Sequence, residues 1–308
     1  MPSSVLKLAF VGDVAPYWGY GPVLGDGNSA ALIDQQVRDL FQNQHAVIGN
    51  FEGVMASGSG QMQIPPSYLP GIVEAGLTHL SLANNHSMDE GAEALLATRD
   101  RLEALGAETF GAGTTLAEAL TARIVEREGW RIALIGACDD HRCHAGADHA
   151  GIGPMDADRL MDAIQSVRAS AELVVLMLHA DLEFRTHPAP WRRALTHRLV
   201  KAGADLVIQH HPHVLQGIEQ IGTRLAVYSL GNFLFRVTDE GYVDQYDGVR
   251  DGLILCVEAK RSQGGVELKH KIVPTRLDAP DDRVTIAEPE DAARIQSFIA
   301  DVSQDWDD

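Results

Sequence analysis

Seven polar side chains stand close behind short apolar runs: Asp13, Glu52, Asn85, His86, His179, His211 and His213. A single histidine after a strand is ordinary, and most such histidines are surface or hydrogen-bonded groups. Repetition at successive strand ends changes the reading, because a mixed set of carboxylate, amide and imidazole donors suits divalent Mn, Fe, Zn or Co. His211 and His213 flank Pro212. In a strand these two rings would share one face, and in a loop stiffened by proline they can instead turn to two separate cations. Glu52 offers two oxygens and suits a bridge between cations roughly 3.5–4 Å apart, the spacing usual in two-metal hydrolytic sites. Asn85 can bind through its carbonyl oxygen, which leaves His86 free to give a proton to a leaving group. Local roles compete with these. Asn84 and Asn85 suit a strand-to-helix turn with Ser87 or Asp89 as N-cap of the helix that follows, and Asp89 is kept out of the site on that account.

The elements that must carry these groups alternate as in an α/β protein. Apolar runs at Leu6–Val11, Ala46–Gly49, Leu77–Ala83, Ile132–Ala137, Leu173–Leu178, Leu206–Ile208 and Leu225–Leu230 read as strands. Helical stripes fall at Leu32, Ile33, Val37, Leu40 and Phe41, at Leu95, Leu96, Leu102 and Leu105, and at Trp191, Leu195 and Leu199. Two β-prone runs, Gly252–Glu258 and Val266–Val273, flank the turn-rich Ser262-Gln263-Gly264-Gly265 and predict a late hairpin, followed by a helix over Pro289–Val302. Gly53 to Pro70 reads as one long loop. No repeat or long linker divides the chain, so a single domain over 1–308 is expected, with the hairpin and helix at about 251–304 packed on it.

Composition narrows the partners. With 25 Lys+Arg against 43 Asp+Glu the net charge is −18, which repels nucleic acid and anionic lipid at long range. Bound cations reverse such a field locally. The three cysteines Cys138, Cys143 and Cys256 form no disulfide framework and fit a reducing compartment. Residues Met1 to Lys7 lack the basic patch and apolar core of a signal peptide, and no apolar run approaches 18 residues. A cytoplasmic chain without a membrane anchor is expected.

Other candidates are less specific. The segment Cys138-Asp139-Asp140-His141-Arg142-Cys143-His144 is rich in possible ligands, but its spacing matches no zinc motif and a loop lining the site is preferred. Arg142, Arg185 and His187, together with Asn232 after the last of these strands, are candidate contacts to an anionic substrate. Gly111-Ala112-Gly113-Thr114 resembles a phosphate cradle only through a lone glycine pair.

Several strings carry a family resemblance: Gly12-Asp13-Val14, Asn50-Phe51-Glu52-Gly53, Ala83-Asn84-Asn85-His86-Ser87-Met88-Asp89-Glu90-Gly91, His179-x-x-x-Glu183, His210-His211-Pro212-His213-Val214 and Tyr228-Ser229-Leu230-Gly231-Asn232-Phe233. In this order, over roughly residues 5 to 236, they resemble the bacterial capsule-synthesis, poly-γ-glutamate biosynthesis family within the calcineurin-like metallophosphoesterase superfamily. The resemblance implies a four-layer α/β/β/α sandwich of metallophosphoesterase type with two divalent metal ions (Mn, Fe or Zn). It implies Asp13 and His213 on the first metal, Glu52 as the bridge, Asn85, His179 and His211 on the second, and His86 as proton donor. The superfamily's Asp-x-His start reads Asp13-Val14-Ala15 here, so the first site lacks an expected histidine and is expected to be weak, to use Glu183, or to be empty.

The expected function is that of a metal-dependent hydrolase acting through metal-bound hydroxide on a phosphoester, phosphoanhydride or γ-glutamyl amide. Its partner would be a small anionic substrate or a γ-glutamyl chain end. The alternative is a non-catalytic accessory protein of poly-γ-glutamate synthesis with the same fold and a reduced metal site.

Overall fold

The computed structural model describes residues 5–17, 20, 29–57, 62–237, 245–263 and 265–304. Strands β1 (Val5–Ala15), β2 (Ala46–Phe51), β3 (His79–Ser81) and β4 (Glu108–Phe110) run parallel in one sheet. The second sheet has β5 (Arg123–Arg127), β6 (Trp130–Cys138), β7 (Leu173–His179), β8 (Leu206–His210), β9 (Ile218–Ile221) and β10 (Arg224–Val227) in the order β9-β10-β8-β7-β6-β5, and β6, β7, β8 and β10 are parallel. The chain then returns to the first sheet. There β11 (Asn232–Phe235) lies parallel to β1, and β12 (Asp251–Ser262), β13 (Gly265–Asp278) and β14 (Arg283–Ile286) extend the sheet antiparallel beyond it.

Three apolar layers explain the stacking. Leu6, Leu8 and Phe10 of β1 meet Leu134 of β6, Val175 and Met177 of β7 and Ile208 of β8 between the sheets. The other faces also carry apolar residues. Ala9, Val11 and Val47 pack with Val37 and Phe41 of α1 (Gln35–Gln42), Ile72 of α2 (Leu69–Glu74) and Leu95 of α3 (Gly91–Ala104). Across the molecule, Ile135, Val174, Leu176 and Val207 pack with Leu160 and Ile164 of α4 (Ala157–Arg168) and Leu195 and Leu199 of α5 (Pro190–Ala202). Strands buried on both faces read as continuous apolar runs, which is why those runs were legible. The result is the four-layer α/β/β/α sandwich of metallophosphoesterase type. Truncating a residue such as Leu176 to alanine would cost about 2–5 kcal/mol.

The late hairpin and the helix α6 (Pro289–Val302) form as expected, although Gly264 of the turn lies outside the described residues. Ile295 and Ile299 of α6 insert at the margin of the inter-sheet core, and Arg294 ties the helix to Asp251 of β12 at 2.6 and 2.9 Å. Among the described residues no helix is long and apolar enough to cross a membrane.

Three expectations change. Gly53–Pro70 is not one loop: Val54–Met55 pairs with Gln63–Ile64, a 3-10 turn covers Pro66–Tyr68, and α2 begins at Leu69, while 58–61 lie outside the described residues. Burial of Ile64, Tyr68, Leu69 and Ile72 supplies the reason. Trp191 does not share the buried stripe of α5; it is 48% exposed, and Arg192 is buried in its place. Helix α4 had no predicted counterpart, although Asp156 caps it by accepting from Arg159 N at 2.9 Å.

Candidate metal centre

The parallel strands of both sheets end along one seam, and the polar residues gather there. From the first sheet come Asp13 at the end of β1, Asn50 near the end of β2, Glu52 just past it, and Asn84, Asn85 and His86 after β3. Asp13, Asn50, Glu52 and Asn84 are fully or almost fully buried. The main chain of β1 reaches this point by close approach. Asp13 N donates to Gly231 O at 3.1 Å, and a Cβ on Gly12 would lie 1.9 Å from that same oxygen. Asn84 joins two of the loops, donating to Phe51 O at 2.6 Å and accepting from His86 N at 3.1 Å.

The second sheet brings the imidazoles. His179 closes β7, and His210, His211 and His213 follow along the end of β8. His211 and His213 have φ of 96° and 57°, left-handed values that cost a non-glycine residue on the order of 1–3 kcal/mol and are held where the surroundings over-determine them. Their ring centres lie 5.8 Å apart, and His179 lies 4.7 Å from His211.

Across the seam, ligand-type atoms face one another. Glu52 Oε1 is 3.7 Å from His179 Nε2 and 3.6 Å from His213 Nε2, and Asn85 Oδ1 is 2.7 Å from His179 Nε2. Asp13 Oδ2 lies 3.5 Å from His213 Nδ1, and Asp13 Oδ1 lies 3.3 Å from His210 Nδ1. Two groups of converging donors share Glu52, namely Asp13, Glu52 and His213, and Glu52, His179 and His211; a third joins Glu183 to His211 and His213. Both Glu52 oxygens and His211 Nδ1 are buried without a hydrogen-bond partner. Asn50 Oδ1 and both ring nitrogens of His210 lack partners as well; buried polar atoms are nearly always partnered, so these orphans at one seam mark a place prepared for something else.

Electrostatics agrees with that donor set. Burial, with Asp13, Glu183 and Asp89 adding their charges, pushes the Glu52 carboxyl well above the usual range. Burial and the neighbouring histidines hold His179 well below an ordinary imidazole, and burial with His213 brings His211 down to about 3. For Asp13, burial acts upward, but His210, His213 and Asn50 outweigh it and lower the carboxyl. Neutral imidazoles and a lowered carboxylate are the forms that bind metals.

Supporting residues complete the picture. His213 Nδ1 faces Asn232 Oδ1 at 3.0 Å, while Asn232 Nδ2 donates to His213 O and Val249 O. Asn232, expected beside the substrate, thus turns its whole amide to the protein and orients His213. His86 Nδ1 meets Asp89 Oδ2 at 2.8 Å. Asp89 is therefore not the helix cap; α3 starts after Glu90, whose side chain makes no capping bond. Arg142 forks onto Asp140 within its own loop, and Arg185 and His187 are exposed on the loop after β7. All three cysteines are free, and Cys143 Sγ donates to Asn85 O at 3.2 Å, which sets this segment against the loop that carries Asn85. Sequence reasoning missed Asn50, whose Nδ2 lies 2.8 Å from Asp13 Oδ1 and 3.1 Å from His179 Nδ1, and it left His210 out of the site; a polar residue on a buried strand was the available signal.

The chain is 29% identical over 272 residues, 85% of its length, to the PGA biosynthesis protein CapA of Bacillus subtilis. It is 30% identical over 231 residues, 70% of its length, to the capsule biosynthesis protein CapA of Bacillus anthracis. It spans 70% of the first relative and 56% of the second. A hypothetical protein from Thermus thermophilus shares the fold, with a TM-score of 0.53 and 15% identity over 87% of this chain and 99% of its own. The family model for the bacterial capsule synthesis protein PGA_cap matches residues 7–237, the stretch that carries every strand end at the seam, and the chain belongs to that family.

Proposed function

We propose that this protein is a metal-dependent hydrolase with a dinuclear centre. Asp13 and His213 would hold one cation, Asn85, His179 and His211 would hold the other, and Glu52 would serve both. The observation that carries this reading is Glu52, a fully buried carboxylate between two imidazoles with neither oxygen hydrogen-bonded. An unpaired buried carboxylate is costly, and its donor neighbours suit Mn, Fe or Zn. Two such cations would supply Lewis acidity toward the scissile group and make water a nucleophile near neutral pH.

The chain's own residues do the rest. Asn232, accepting from Nδ1–H of His213, leaves Nε2 with its lone pair toward Glu52. Asp89 fixes His86 through Nδ1, which leaves Nε2 to deliver a proton to the leaving atom. The substrate is a phosphoester, a phosphoanhydride or a γ-glutamyl amide, in keeping with relatives named for capsule and PGA biosynthesis.

A second reading, a non-catalytic accessory protein of poly-γ-glutamate synthesis, is favoured by one feature. The position two residues past Asp13 is Ala15, which has no ligand atom. Elemental analysis of the protein loaded with Mn(II), Fe(II) or Zn(II), followed by assay on phosphomonoester, phosphodiester, phosphoanhydride and γ-glutamyl substrates, separates the two. Two bound metals with turnover of one substrate class support the hydrolase; metal uptake without turnover of any class hands the chain to the accessory reading.

A further inference from the structure

Behind the histidines lies a buried cation that the proposed chemistry does not use. Arg192 stands three and seven residues before Leu195 and Leu199, on the face of α5 that packs against the second sheet, and its side chain is 0% exposed. An apolar residue of similar size would serve that core without desolvating a charge, since buried ion pairs often add nothing to stability. The guanidinium instead donates to four acceptors. Nε donates to Gln209 Oε1 at 2.8 Å, Nη1 to Asp181 Oδ2 at 2.8 Å and Gln216 Oε1 at 3.2 Å, and Nη2 to Tyr228 O at 2.6 Å.

These partners enclose the loop that runs from His179 to α5. Asp181, with φ of 98°, also accepts from Ala189 N at 2.8 Å, which closes the loop on itself. Gln216 reaches on to Arg185 O at 2.7 Å, and Phe184 N donates to Pro212 O at 2.8 Å. Between these anchors sits Glu183, whose carboxylate converges with His211 and His213. We propose that Arg192 is a positioning residue of the metal centre: through Asp181 it fixes the 180–189 loop so that Glu183 is delivered to His211 and His213. This rests on the metal-centre reading above.

Two measurements on the full chain test it. In metal-free protein, hydrogen exchange at the amides of Phe184 and Ala189 should quicken in Arg192→Met and in Asp181→Asn, and stay as in wild type in Glu183→Gln. In a Mn(II) titration, Arg192→Met and Glu183→Gln should each weaken the weaker cation by roughly 10–100-fold, the size usual for a supporting partner. The double variant should bind no more weakly than Glu183→Gln alone, because one residue acts through the other. Arg192→Lys, a single point donor facing four acceptors, should fall between wild type and Arg192→Met. If Arg192→Met does not fold, Asp181→Asn carries both measurements. Unchanged exchange in the Asp181 variant, or losses that multiply in the double variant, overturn the proposal. A wild-type chain that takes up no Mn(II) overturns the metal centre instead, and exchange then decides the fixing of the loop alone.

Discussion

The two sheets bring different chemistry to the seam. The first contributes oxygen and amide donors, Asp13, Asn50, Glu52 and Asn85, at the ends of three adjacent parallel strands, with Asp13 and Asn50 directly paired in register. The second contributes imidazoles, and His179 and His210 are likewise paired in register. Support is unequal as well. His213 has Asn232 and His179 has Asn50 and Asn85, whereas Glu52 has no hydrogen-bond donor. The two groups of converging donors that share Glu52 draw on both edges. They exist because Leu6, Leu8 and Phe10 dock one sheet on the other, which makes the site a product of tertiary packing.

Breaking the shared residue should have the largest effect. Glu52→Gln removes charge from both cation positions at once, so uptake of both should weaken by more than the roughly 10–100-fold of a supporting residue. The metal-free fold should hold or gain, because the amide has no charge to bury. Thermal melts with and without Mn(II) read both, since a ligand that binds only the native state stabilises it by mass action. A metal-induced rise in Tm that survives in Glu52→Gln would show that the two edges do not meet through this carboxylate. Next comes His86, on the oxygen-donor side but outside the donor groups. His86→Asn should keep both metals and lose turnover by roughly 10²–10⁴-fold; metal lost together with turnover would make it a ligand.

The difference between the edges also explains what could be read from the sequence. Aspartate, glutamate and histidine after apolar runs are visible because strand ends and residue types coincide, and Asp13, Glu52, His179, His211 and His213 do meet at the seam. Asp89 was misread because an aspartate just before a helix serves equally as a cap or as the partner of a histidine three residues earlier. Trp191 and Arg192 were exchanged for a similar reason. Spacings of 191-195-199 and 192-195-199 both fit a helical stripe, and it is contacts with Asp181, Gln209, Gln216 and Tyr228, outside the helix, that draw the arginine inward. The role of Asn232 depends on the turn at Gly231 lying against Gly12, a proximity no local pattern encodes.

Support on the imidazole side predicts an intermediate effect. Asn232→Ala leaves every donor in place but frees His213 Nδ1, so the cation shared with Asp13 should bind roughly 10–100-fold more weakly while the other is little changed. Competitive titration with a fluorescent chelator resolves the two. Equal loss at both would mean that Asn232 holds the whole β8 turn rather than one ring.

The smallest effect concerns the missing histidine. Val14 meets Gly49 of the neighbouring strand in a packed core, so a ring there would displace packing. Ala15 is the better position: it pairs in parallel register with Phe235, and paired residues project from the same face of a sheet. The Phe235 ring lies 4.9 Å from that of His213. Ala15→His should therefore place an imidazole beside the cation of Asp13 and His213, tightening it on the order of tenfold, comparable to the lower end of what a supporting partner is worth. Ala15 is fully buried, so enlarging it should cost the metal-free fold about 1–3 kcal/mol. Ala15→Val provides the control, with a similar loss of stability and no gain in affinity. Titrations at one pH, since protons compete for the same nitrogens, compare all three proteins. If wild type already binds both cations with equal, tight affinity, the first position is complete without a residue at 15, and Glu183 or His210 must close the donor set.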